Sequence, residues 1–108
     1  MPTLTIAEAE DLVARTLARC RTAPDNARCV ASALVAAEAD GLKGHGLSRL
    51  PSYAAQAKVG KVDGFAVPQA SRPRAGAALI DAGHGFAYPA IALAETILPE
   101  MAATPDRL

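Results

Sequence analysis

Alanine occupies twenty-six of the 108 positions, against two phenylalanines, two tyrosines and no tryptophan. No other feature constrains the fold as much. Alanine has the highest helix propensity of all residues, yet it removes little apolar surface from water when buried. Such a chain is expected to pair helices closely through small side chains, around a core of Ala, Leu, Val and Ile that is thin for its length. A thin core points to missing surface, supplied by another subunit or by the rest of a longer chain. With 51% hydrophobic residues, the sequence is still too apolar to stay disordered. Its length suits one core and is too short for two.

Periodicity then locates the elements. Ile6, Ala9, Val13, Leu17 and Cys20 recur at three- and four-residue intervals, which predicts a helix over 5–21. Thr5 and Glu8 have capping-box spacing at its start, and Arg15, Arg19 and Arg21 suit the negative end of its dipole. Pro24 and Asp25 open a second helix, with Ala27, Val30, Leu34 and Ala37 on its buried face and an end near Glu38–Gly41. A third is expected over 47–59, with Pro51 in its first turn, Leu47, Leu50, Ala54 and Ala57 along one side, and Gly60 and Gly64 closing it. Residues 64–76, with Pro68, Pro73 and Gly76, read as an extended link. Ala77–Ala82 reads as a short buried strand around Leu79-Ile80, and Gly83-His84-Gly85 as a turn. A fourth helix follows with Ala87, Ala90, Ala94, Ile97 and Met101, which Pro99 should end or kink. The expected class is α+β, mostly helical: a three-helix segment over 1–63, then a strand and helix portion over 64–108.

Several functions are disfavoured. No apolar run approaches the length of a membrane span, and Met1-Pro2-Thr3 does not open a secretory signal. Eleven basic residues balance eleven acidic ones, which argues against a nucleic-acid partner. Cys20 and Cys29 lack metal-type spacing and are expected as small buried apolar groups, a helix-to-helix disulfide being the minor alternative. Together these features point to a reducing, cytoplasmic compartment. Two Gly-His-Gly tripeptides do not make up the three or four ligands that zinc needs, so no metal site is expected. The second, at 83–85, also lacks the Gly-x-Gly-x-x-Gly spacing of a dinucleotide loop.

The segment Asp40-Gly41-Leu42-Lys43-Gly44-His45-Gly46-Leu47-Ser48-Arg49-Leu50 carries the most chemistry. Glycines on both sides of His45 would let a ligand approach the main chain closely. On a continuous helix, Arg49 would share a face with His45. A guanidinium can hold a carboxylate by two parallel hydrogen bonds, and an imidazole beside it can exchange a proton with a neighbouring oxygen. Such a pair suits a 2-hydroxy or 2-oxo acid. Read blandly, His45 is a solvated or capping residue, Arg49 a surface ion-pair member and Lys43 a solvated charge.

The stretches EADGLKGHGLSRLPSYAAQAKVGKVDGFAVP and ALIDAGHGFAYPAIALA resemble the N-terminal part of the malate/L-lactate dehydrogenase family. The resemblance lies in His45-Gly46, then Arg49-Leu50, then Tyr53, between an Ala/Asp-rich helix and a Tyr-containing one. It implies an NAD- or NADP-dependent oxidoreductase acting on a small 2-hydroxy or 2-oxo acid. His45 would be the catalytic proton donor or acceptor, and Arg49 would bind the substrate carboxylate. It also implies a larger α/β dehydrogenase of non-Rossmann type, homodimeric at full length. Its cofactor would be held mainly by residues absent from this chain, which alone should bind NAD(H) weakly and be inactive. Most family members carry serine where this chain has Gly44. The competing reading is a small helical interaction or regulatory module without catalysis.

Overall fold

A reciprocal pair of hydrogen bonds starts the first helix. The Glu8 N–H donates to Thr5 Oγ1 at 3.0 Å, and the Thr5 N–H donates to Glu8 Oε1 at 2.9 Å. The computed structural model describes residues 3–103. In it, α1 (Ile6–Ala18) and α2 (Pro24–Ala39) form a helical hairpin, with Pro24 in the first turn of α2. Leu17, Leu34, Val13 and Val30 are fully buried between them. Ala9, Ala14, Ala27 and Ala31 complete the interface and let the two backbones approach closely. The buried stripe of α1 is Ala9, Val13, Ala14 and Leu17. Ile6, expected inside, is 60% exposed, because its turn reaches an open cleft between the start of α1 and the end of α2. Cys20 lies beyond the end of α1.

The return from α1 to α2 is tied to a distant segment. Thr22, 3% exposed, bridges to Gly64 in parallel, and the Ala23 N–H donates to the Gly64 carbonyl at 2.9 Å. Asn26 Nδ2 donates to both the Gly64 and Ala66 carbonyls, at 2.9 and 2.8 Å. This clamp fixes the chain after α3 (Leu50–Lys58), whose Ala57 is buried against the hairpin.

The extended link contains a strand that propensity does not reveal. β1 (Gln69–Arg74) pairs antiparallel with β2 (Ala77–Asp81), the register running Gln69↔Asp81, Ala70↔Ile80, Ser71↔Leu79 and Arg74↔Ala77. The ladder is irregular between Ser71 and Arg74, where Pro73 has no N–H to donate. β2 is not the buried strand expected: Leu79 is 62% exposed, since a two-stranded ribbon with α4 against one side leaves the other face open. Helix α4 (Ala87–Ala102) runs through Pro99 instead of stopping there, and ends within the following turn. Phe86 at its start joins the hairpin core. Ile91, which lines an open cleft between α2 and α4, and Leu98 are each about half exposed. Among the described residues, no helix is long and apolar enough to cross a membrane.

Two measurements test this account. A Cβ at Gly64 would overlap the Arg21 carbonyl and come within 2.6 Å of Thr22 Oγ1. Gly64→Ala should therefore lower unfolding free energy by about 2–3 kcal/mol in chemical denaturation. The Thr5 backbone N–H, followed by the Thr5 hydroxyl, holds the Glu8 carboxyl below its ordinary pKa. A carboxyl with a lowered folded-state pKa stabilises at neutral pH, and that contribution is lost as pH falls through the lowered value. On acidification the parent chain should lose stability more steeply than Glu8→Ala; parallel curves would refute the capping role.

Candidate active site

Helix α2 ends in a glycine-dependent motif. The Leu42 N–H donates to the Ala37 carbonyl at 2.9 Å and the Gly41 N–H to the Glu38 carbonyl at 3.1 Å, with Gly41 left-handed at φ +83°. The chain then makes two short 3₁₀ turns, Lys43–His45 and Leu47–Arg49, before α3. His45 and Arg49 thus do not share the single helical face that their spacing predicts. Gly46, at φ −102° and ψ −135°, separates the turns.

The cause is Glu38. Its side chain lies against Gly46 so closely that a Cβ there would fall 2.6 Å from Glu38 Oε1 and 2.9 Å from Glu38 Cβ. The same Oε1 accepts the Leu47 N–H at 3.0 Å, satisfying the start of the second turn. Two further side chains fold back over the first turn. Ser48 Oγ donates to the Lys43 carbonyl and Arg49 Nε to the Gly44 carbonyl, each at 2.7 Å. Arg49 is thereby drawn onto the residue preceding His45, even though the backbone is not continuous helix. Both side chains are exposed, and the two Nη groups of Arg49 have no partner among the described residues. A Cβ on Gly44 would meet nothing within 4 Å, so the fold itself does not demand glycine there.

Tertiary structure adds a residue that sequence spacing does not single out. Tyr88, from α4, reaches Tyr53 on α3, whose ring packs 5.8 Å from that of Phe86 at a 54° tilt. Burial pushes the Tyr88 phenol up, and so does its hydrogen bond to Tyr53; the Arg49 guanidinium opposes both. The link between these residues is charge and contact across three elements, which no local pattern in the sequence records.

Other candidates are less furnished. At the Gly83-His84-Gly85 turn, both Gly83 and His84 are left-handed at φ +63°. A Cβ on Gly85 would meet Ala66 Cβ at 2.8 Å and the Ala82 carbonyl at 3.0 Å, and the His84 carbonyl already accepts the Asp63 N–H. The glycine there serves close packing of the chain on itself and leaves no open cradle for a pyrophosphate. Cys20 and Cys29 are free and half-buried; burial, then the Glu95 charge, raises the Cys29 thiol. Among the described residues no three His, Cys, Asp or Glu side chains are grouped to hold a metal.

If Glu38 holds the loop, Glu38→Ala should cost about 1–2 kcal/mol of stability and speed hydrogen exchange at the Leu47 amide by about tenfold. Glu38→Gln, which retains an acceptor oxygen, should largely spare both. Unchanged Leu47 exchange in Glu38→Ala would refute the arrangement.

Comparison with known proteins identifies the family and the fold. The family model for malate/L-lactate dehydrogenase matches residues 4–105. The chain is 47% identical over 90 residues to the (2R)-3-sulfolactate dehydrogenase (NADP(+)) of Chromohalobacter salexigens, covering 82% of this chain and 26% of that protein. It is 36% identical over 103 residues to the Δ1-pyrroline-2-carboxylate/Δ1-piperideine-2-carboxylate reductase of Pseudomonas syringae pv. tomato, covering 94% and 30%. The crystal structure of Δ1-piperideine-2-carboxylate reductase from that organism superposes with a TM-score of 0.90 at 34% identity, over 94% of this chain and 31% of that one. The chain spans less than a third of the length of these relatives. By its motif, its fold and the reach of the family match, this chain belongs to the malate/L-lactate dehydrogenase family.

Proposed function

We propose that this chain supplies the proton-transfer and acid-anchoring half of a nicotinamide-dependent oxidoreductase acting on a small 2-hydroxy, 2-oxo or related 2-carboxylic acid. The observation that carries the reading is the Arg49 clasp. Its Nε is committed to the Gly44 carbonyl, which fixes the guanidinium plane and leaves both Nη groups exposed beside the turn that carries His45. A fork held at one edge is pre-organised to grip a carboxylate with less loss of side-chain freedom. Family membership favours enzyme chemistry over a non-catalytic helical module. The half-exposed Ile91 and Leu98 of α4 suit contact with further polypeptide under either reading.

Within this proposal Arg49 holds the acid group and orients the adjacent carbon. His45 gives a proton to the oxygen or nitrogen on that carbon in the reducing direction and takes it back in the oxidising one. The exposure of His45 leaves it free to exchange that proton with water between turnovers. NAD or NADP would supply the hydride chemistry. The Gly83–Gly85 turn does not fit the cofactor's pyrophosphate, so its binding is assigned to polypeptide beyond this chain, in keeping with a larger non-Rossmann enzyme whose helical segment is 1–63 and whose strand and helix portion begins at 64. On this reading the 108 residues alone do not turn over substrate. A cytoplasmic location and a homodimer at full length belong to the same proposal.

Titration of the 108-residue chain with pyruvate, followed by amide NMR, should shift resonances of residues 43–50, and Arg49→Ala should weaken binding at least tenfold. NADH added alone should leave calorimetry near baseline. In a polypeptide of the relatives' length, His45→Ala should cost about 10²–10⁴ in turnover. Pyruvate shifts confined to other residues, or full turnover without His45, would overturn the assignment.

A further inference from the structure

Two side chains of the second 3₁₀ turn tie it back onto the first. Ser48 Oγ donates to the Lys43 carbonyl and Arg49 Nε to the Gly44 carbonyl, both at 2.7 Å and both spanning five residues. Neighbouring side chains thus hold neighbouring carbonyls, and those carbonyls belong to the two peptide groups on either side of Gly44. Gly44 is the joint between these peptides. It has no side chain, and a Cβ there would meet nothing within 4 Å, so sterics leave the joint free to turn. Rotation of the Lys43–Gly44 plane would carry the Gly44 carbonyl away from Arg49 Nε. Glu38 holds the other turn, at the Leu47 N–H and against Gly46. Among the described residues, Ser48 is the side chain that hydrogen-bonds the Lys43–Gly44 plane.

We propose that Ser48 is a positioning residue of the acid site: by holding the Lys43 carbonyl, its hydroxyl keeps the Gly44 carbonyl in place for Arg49 Nε, and so keeps the guanidinium aimed at the acid. This rests on the reading of Arg49 as carboxylate anchor. Ser48 touches neither acid nor cofactor in this arrangement and acts through Arg49. A hydroxyl suits the task, since it donates to a carbonyl while adding no charge that would compete with or repel the acid. A guanidinium already held at Nε loses less freedom when its Nη groups close on a carboxylate, so removing the Ser48 tie should weaken acid binding by about fivefold. The tie is exposed, and the core of the hairpin does not depend on it.

The test follows the Arg49 Nε–H resonance of the 108-residue chain by ¹H–¹⁵N NMR, first alone and then during titration with pyruvate. Ser48→Ala should speed exchange of that Nε–H with water and lower pyruvate affinity, each by about fivefold. Ser48→Thr, which keeps the hydroxyl, should match the parent. Gly44 is not left-handed and has room for a methyl group, so Gly44→Ala can be added to Ser48→Ala. Alanine narrows the rotations open to the joint, and the double variant should recover part of both losses. Far-UV circular dichroism verifies that each variant folds. Ser48→Ala matching the parent in both readouts, or showing no recovery with Gly44→Ala, would overturn the positioning role and leave the anchor standing. Weaker pyruvate binding with Nε–H exchange unchanged would overturn it too, because Ser48 would then act on the acid directly. A parent chain that binds no pyruvate would overturn the anchor and this proposal together.

Discussion

One carboxylate sets the geometry on which the candidate site depends. Glu38, in the last turn of α2, accepts the Leu47 N–H and lies against Gly46 where any side chain would collide. That contact sits at the junction of two short turns. From the second of them Arg49 bends back and donates to the Gly44 carbonyl. Glu38 can do this because α2 is held rigidly by its partner: Leu34 and Val35, just before it, are buried in the α1–α2 interface. Core packing, helix end, loop and guanidinium therefore form one chain of dependence.

The alanine content has a structural counterpart on each side of that chain. Between α1 and α2, small side chains bring two backbones together and bury a narrow strip of Leu and Val. Beyond the hairpin they leave too little volume to cover the rest. Leu79, Val67, Phe65, Ile91 and Leu98 are all at least half exposed. The chain spans less than a third of the length of these relatives.

The elements with strong local codes are legible from the residues. The capping box at Thr5 and Glu8, the first-turn Pro24 and the glycine after α2 each act within a few residues, and each appears where its pattern places it. The misplacements share a different cause. Ile6 fits the helical period but lies at the open cleft between the start of α1 and the end of α2. β1 has Arg, Ser and Pro in place of β-branched residues, and it exists because β2 pairs with it. His45 and Arg49 have helical spacing, yet they fall in two separate turns, with a side chain from α2 packed at the junction. In each case a distant contact outweighs a local preference.

By itself the sequence determined the helix-rich class, the small-residue hairpin and the presence of the His45–Arg49 motif, because propensity, capping and residue type act at short range. Only the tertiary structure decided how that motif is shaped and what stands next to it. Glu38 reaches it from the end of α2 and Tyr88 from α4, on the far side of the strand hairpin. Their meeting follows from how the helices pack around one narrow core, and packing is a property of the whole chain that no stretch of a few residues encodes.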